Sequence, residues 1–144
     1  MKLWTRIAML LTLTFPLVAS AQFKDLDVAM SNLTRGFGSG DSQAIVSGIG
    51  ESDQVQLLFP GLIDQSGFFG RDQAAYLLDG LFNKAKPVAF DPLNQRKVSS
   101  EGQYHITARW TITIAGKPQA RDLYITLKSK NDRWSIISVR SASQ

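Results

Sequence analysis

One stretch of the chain, Tyr104 to Ile114, constrains the fold more than any other segment. Apolar and polar side chains alternate along it without a break. The apolar series is Tyr104, Ile106, Ala108, Trp110, Ile112 and Ile114, and the polar series is His105, Thr107, Arg109, Thr111 and Thr113. Alternation over this length is typical of an antiparallel strand with one buried and one exposed face. Other elements must therefore cover the Tyr104/Trp110 face.

The segments on either side of this strand extend it into a sheet. Leu123, Ile125 and Leu127 repeat the alternation and predict the next strand. Trp134 to Val139 is expected to be the last strand. Val88 to Lys97 is expected to be the first long strand, with an irregularity at its proline, because proline cannot donate a ladder hydrogen bond.

The first half of the chain has the apolar spacing of helices. Leu26, Met30, Leu33 and Phe37 recur on one face of a predicted first helix, and Asp25 is placed to act as its N-cap. We expect the glycines at 36, 38 and 40 to end this helix.

A short strand and two more helices complete the first half. Asp41 is the expected N-cap of a short second helix, and Val55 to Phe59 reads as a strand. The third helix is expected from about Arg71 to Lys84. Helices followed by strands predict an α+β domain, with N-terminal helices packed on one face of a curved antiparallel sheet.

In this order of elements the chain resembles the nuclear transport factor 2-like superfamily, a cystatin-like α+β fold in which a cone of sheet wraps helices. The stretch from Gly67 to Phe82 is similar to the third-helix region of small exported bacterial domains of unknown function with that fold. There, an aromatic residue after a glycine leads into a helix that carries Gln-Ala and ends in Phe. The resemblance covers Leu26 to Val139 and implies the fold, without an agreed activity.

Residues 1–21 have the three parts of an export signal. Lys2 and Arg6 precede an apolar run from Ile7 to Leu17, and Ala19-Ser20-Ala21 provides a cleavage pattern of small residues. The run is too short to span a bilayer. We expect one domain of residues 22–144 that is periplasmic or secreted and has no membrane association after cleavage. The alternative is an uncut N-terminal anchor.

The composition excludes several classes of function. The chain has no Cys, which rules out disulfides, thiol catalysis and thiolate metal sites. Its net charge is +4, two positive charges lie in the predicted signal, and no run of Lys or Arg occurs, so no nucleic-acid partner is expected. His105 is the only histidine and points outward, so we expect neither a metal site nor a cofactor.

Five residues are candidates for a pocket at the mouth of the predicted cone: Phe59, Asp64, Tyr76, Tyr104 and Trp110. Aromatic residues at strand spacing normally pack in a core. They can also line a site for a small apolar ligand, since such sites are mostly apolar with few polar groups. The sequence leaves both interpretations open.

The expected function is non-enzymatic. An isomerase or dehydratase of the resembled superfamily needs a carboxylate inside the cone, with its pKa raised by burial. The inward positions of the three clear strands hold no Asp, Glu, His or Lys. A binding or interaction module is therefore favoured, with no catalytic residue assigned. The alternative is a small-molecule enzyme with a polar site at the cone mouth, near Asp64.

The outward-facing residues Thr107, Arg109, Thr111 and Tyr124 form a flat face of low charge. Such a face is either solvated sheet surface or a pairing surface. In the resembled superfamily this face is a frequent dimer contact. We therefore expect a homodimer through it.

Overall fold

The computed structural model describes residues 25–98 and 102–142. Its helices are α1 (Leu26–Ser39), α2 (Ser42–Val46) and α3 (Arg71–Lys84). Its strands are β1 (Val55–Leu58), β2 (Gly67–Phe69), β3 (Lys86–Val98), β4 (Gln103–Ile114), β5 (Lys117–Lys130) and β6 (Arg133–Ala142). The predicted signal of residues 1–21 lies outside the described residues.

The strands form one sheet in the order β2-β1-β6-β5-β4-β3. The long strands pair in antiparallel fashion, as predicted, but β1 joins β6 in parallel, with Leu57 opposite Val139. The curved, open sheet is therefore antiparallel in its long strands, as predicted, and mixed through this one parallel pair. β2 was not predicted, because three residues that include a glycine are too short for a periodic signal.

The predicted alternation of β4 is confirmed. Ile106, Ala108, Trp110 and Ile112 are buried on the inner face, and Arg109 is exposed on the outer face. β3 is irregular at the expected place, with a register shift between Pro92 and Asn94.

Helix α1 packs on the inner face of the sheet. Its N-cap is the predicted one, since the Asp25 carboxylate accepts a hydrogen bond from the backbone N–H of Asp27 at 2.8 Å. The helix continues through Gly36 and Gly38 and ends only at Gly40, where φ is +77°. Glycines 36 and 38 therefore do not end it. A Cβ at Gly36 would lie 2.3 Å from Cγ1 of Ile45, so this glycine permits close contact with α2.

Two polar side chains hold α2 in place against α3. The hydroxyl of Ser42 donates to the carboxylate of Asp79 on α3. The guanidinium of Arg71 donates from Nε to the carbonyl of Val46 at 3.3 Å and from Nη2 to that of Ser47 at 3.5 Å. These bonds supply partners for carbonyls at the end of α2. Helix α3 has the predicted bounds, and none of the described helices is long and apolar enough to cross a membrane.

Candidate functional site

The interior of the cone is filled by aromatic rings. Phe37 lies at the centre, and its ring centroid is 5.8 Å from that of Trp110, 5.9 Å from Phe90, 6.0 Å from Phe82 and 6.5 Å from Phe59. The indole N–H of Trp110 donates to the carbonyl of Phe37 at 2.8 Å, so its polar atom is satisfied inside the core. Two of the candidate pocket residues, Phe59 and Trp110, thus contact each other in a packed core.

Tyr104 lies in a different cluster. Its ring packs against that of Trp134 with centroids 6.0 Å apart, and its hydroxyl donates to the side-chain carbonyl of Gln95 at 2.8 Å. Tyr104 is half-buried and lies at the rim of the core, in contact with it.

Asp64 and Tyr76 share a groove outside the cone. The groove has a volume of about 620 Å³ and lies between α3 and the loop that follows β1. Tyr76 is 78% exposed, because the buried residues of α3 are Ala74, Leu78, Leu81 and Phe82 on another side of the helix. The five candidate pocket residues therefore do not line one cavity. Two lie in the core, one at its rim and two in this external groove.

The four candidate dimer residues do lie on one face. Thr107 is opposite Tyr124, and Arg109 is opposite Asp122, in the pairing of β4 with β5. Arg109 Nε lies 3.8 Å from Asp122 Oδ1, which is close enough for attraction but too long for a hydrogen bond. We call the outward surface of the six strands the outer face.

The outer face contains a groove that sequence reasoning did not identify. Its volume is about 480 Å³, and Gln56 of β1 and Arg140 of β6 line it beside Thr107 and Tyr124. The guanidinium carbon of Arg140 lies 5.6 Å from the ring centroid of Tyr124. No local pattern brings Gln56 and Arg140 together, because the groove depends on the pairing of β1 with β6.

His105 lies in the same groove and is half-buried, rather than fully exposed. Its Nδ1 is 3.1 Å from the hydroxyl oxygen of Thr126. Within residues 25–98 and 102–142, no group of three or more His, Asp or Glu side chains could hold a metal ion.

A protein-family model matches residues 30–141, and its description is domain of unknown function DUF4783. No curated protein matches the chain significantly. Among solved structures, the chain is similar to a DUF4783 family protein from Bacteroides ovatus, with 19% identity and a TM-score of 0.63. This match covers 79% of this chain and 96% of that chain.

Two other solved structures bear on the fold. One is a hypothetical protein with a ketosteroid isomerase-like fold from Catenulispora acidiphila, in complex with trimethylamine. It has 12% identity and a TM-score of 0.61, and the match covers 80% of this chain and 84% of that one. The other is a protein whose name includes NTF2, for nuclear transport factor 2, with 16% identity and a TM-score of 0.62, covering 81% and 96%.

At these identities the likeness shows the fold alone, and the expected nuclear transport factor 2-like fold is confirmed. The family match covers most of the chain and agrees with the predicted resemblance to bacterial domains of unknown function. The chain belongs to the DUF4783 family.

Proposed function

We propose that this protein is an exported, non-enzymatic interaction module that pairs with a second copy of itself through the outer face of its sheet. One observation carries the proposal. The cone interior, where an isomerase-like site would need a cavity and a carboxylate, is occupied by the rings of Phe37, Phe59 and Trp110. The outer face, by contrast, is not covered by any described element.

The outer face has the low charge and the exposed apolar area of a contact surface. Tyr124 is 38% exposed at its centre, and Leu58 and Phe68 are exposed toward the β1/β2 edge. Thr107 lies beside Tyr124, Thr111 lies further along β4 opposite Ala120, and neither threonine carries a charge. Aromatic side chains at the centre of a patch are typical of the residues that dominate binding energy.

The charges on the outer face are self-complementary. Arg109 and Asp122 are side by side on β4 and β5. A two-fold axis that runs along the strands between them would place Arg109 of one copy opposite Asp122 of the other, and the reverse. The same axis would place β6 of one copy across the interface from β3 of the other. Asp91 would then face Ala142 of the second copy. Arg140, two residues earlier on β6, would face the uncharged Asn94.

A charge-swap experiment tests this arrangement. Arg109→Asp places like charges opposite each other at two symmetric positions, so the dimer dissociation constant should rise by about ten-fold or more. The double variant Arg109→Asp/Asp122→Arg restores the complementary pattern and should recover most of the affinity. Sedimentation velocity measures both. If the double variant is as monomeric as the single variant, the proposed pairing is wrong.

A second test separates dimerisation from folding. Thr111→Glu would bury a charge in the contact and should give monomers with an unchanged circular dichroism spectrum. Thr34→Glu is the matched control, because Thr34 is exposed on α1 and away from the outer face. The control should remain dimeric. Equal effects of the two substitutions would contradict a contact through this face.

The export part of the proposal rests on residues 1–21 and has its own test. Lys2, Arg6 and the small residues up to Ala21 favour removal of this segment by a signal peptidase. N-terminal sequencing of the protein recovered from the periplasm or medium should start at Gln22. Recovery of an intact Met1 form from the membrane fraction would contradict export by cleavage.

A further inference from the structure

Helix α3 contains a glycine that the fold does not require. Gly80 is exposed in the helix interior, and it is not among the glycines with positive φ. A Cβ built on it meets no heavy atom within 4 Å, so packing does not demand its absence. Glycine in this position weakens a helix relative to alanine. Its structural consequence is to leave the α3 side of the groove at Asp64 and Tyr76 open.

The residues that line this groove combine an apolar floor with groups that attract positive charge. Leu62, Leu77 and Leu81 provide the apolar surface. Asp64 and Asp79 provide carboxylates, and the exposed ring of Tyr76 provides an aromatic face. Lys and Arg do not occur among the lining residues that the structure describes, and the nearby ammonium of Lys84 donates to the carbonyl of Gly61 at 3.5 Å, at the edge of the groove.

The groove wall is held in place by bonds within the protein. The backbone N–H groups of Leu62 and Ile63 both donate to the carbonyl of Phe59 at 3.0 Å. Arg121 Nη1 donates to the carbonyl of Pro60 at 2.8 Å. On the helix side, the Asp79 carboxylate accepts from the hydroxyl of Ser42. A ligand would therefore meet a preformed wall, which lowers the entropy cost of binding.

We propose that this groove binds a small organic cation with aliphatic substituents, of the alkylammonium or quaternary ammonium class. The aliphatic part would lie on the leucine floor, and the charge would face the Tyr76 ring and the carboxylate of Asp64. A neutral apolar ligand, which the sequence alone suggested, would displace water from the carboxylates without compensating their charge. The site lies on α3 and does not depend on pairing through the outer face.

A pair of ligands of nearly equal shape tests the charge requirement. Choline and 3,3-dimethyl-1-butanol differ in whether the branched head carries a positive nitrogen or a neutral carbon. Titration with choline should give saturable changes in the amide NMR shifts of residues 62–65 and of α3. Binding of the neutral alcohol should be weaker by about five-fold or more. Equal affinities, or no saturable change with choline, would overturn the proposal.

Substitutions in the groove complete the test. Gly80→Gln should raise the midpoint of denaturation, since it removes a helix glycine, and should also abolish choline binding by filling the groove. Asp64→Asn and Tyr76→Ala should each weaken choline binding. Asp132→Asn is the matched control, because it removes one exposed carboxylate outside the groove and should leave binding unchanged. Wild-type binding by Gly80→Gln would overturn the assignment to this groove.

Discussion

On the inner face of β4, Trp110 is completely buried and its indole N–H has a partner in α1. On the outer face, one residue earlier, Arg109 is exposed and its contact with Asp122 is too long for a hydrogen bond. One of these adjacent residues thus lies in a closely packed core, and the other lies on a surface whose charges are not fully paired. The comparison indicates that stability depends on the inner face, and the pairing that we propose would depend on the outer face.

The largest expected effect is on the inner face, at Trp110. Trp110→Ala removes a ring in contact with Phe37, Phe59 and Phe82 and leaves a cavity. We expect a loss of about 3–5 kcal/mol in the free energy of unfolding. Urea denaturation, followed by far-ultraviolet circular dichroism of the backbone rather than by tryptophan fluorescence, measures this loss. A loss below about 1 kcal/mol would mean that the interior is less tightly packed than the structure indicates.

Two glycines on α1, at positions 36 and 38, differ in how closely the interior packs against them. Gly36→Ala places a methyl group 2.3 Å from Cγ1 of Ile45, whereas Gly38→Ala meets its closest neighbour, Cβ of Phe90, at 3.8 Å. We expect Gly36→Ala to destabilise by about 1–3 kcal/mol through overpacking. Gly38→Ala should be neutral or stabilising by up to about 1 kcal/mol, because alanine is the better helix former.

The same denaturation assay measures both glycine variants. If Gly38→Ala proves as damaging as Gly36→Ala, the close packing of α1 on α2 does not explain the requirement for glycine. Equal small effects would instead show that Ile45 can move aside.

The smallest expected effect is on the outer face, at His105. His105→Ala removes one contact with the hydroxyl of Thr126, and the side chain is only half-buried. We expect a loss of about 0.5 kcal/mol or less. A loss that approaches the Trp110→Ala value would contradict the division of the sheet into a stabilising inner face and an outer face available for contact.

Local patterns in the sequence were sufficient for much of this fold. The alternation of β4 placed Trp110 inward and Thr107, Arg109 and Thr111 together on the outer face. The apolar spacing of α3 gave its bounds, Arg71–Lys84. In each case the signal lies in neighbouring residues whose side chains must point to the same side of one element.

Features that depend on distant pairing could not be predicted. The parallel alignment of Gln56 with Ser138 joins segments from opposite ends of the domain, and no local signal records it. The role of Gly36 was missed for a similar reason. A glycine that ends a helix and one that admits a neighbouring helix look the same in sequence, and only the approach of Ile45 distinguishes them.

The candidate pocket shows the same limit. The sequence identifies Phe59 and Trp110 as aromatic residues that could pack in the core or bind a ligand. Only their contacts with each other and with Phe37 show that they pack in the core. For Tyr76, by contrast, the spacing along the helix is a sufficient signal. Tyr76 is offset from the buried residues Ala74, Leu78 and Leu81 and therefore belongs to the exposed side of α3.

Sedimentation equilibrium of the chain from Gln22, at tens of micromolar, tests the central claim most directly. That claim is that the outer face is a pairing surface and the inner face is a closed core. We expect a species of twice the monomer mass, which dissociates on dilution and more readily in high salt, because charged pairs contribute to the contact. A single monomeric species throughout this concentration range would contradict it.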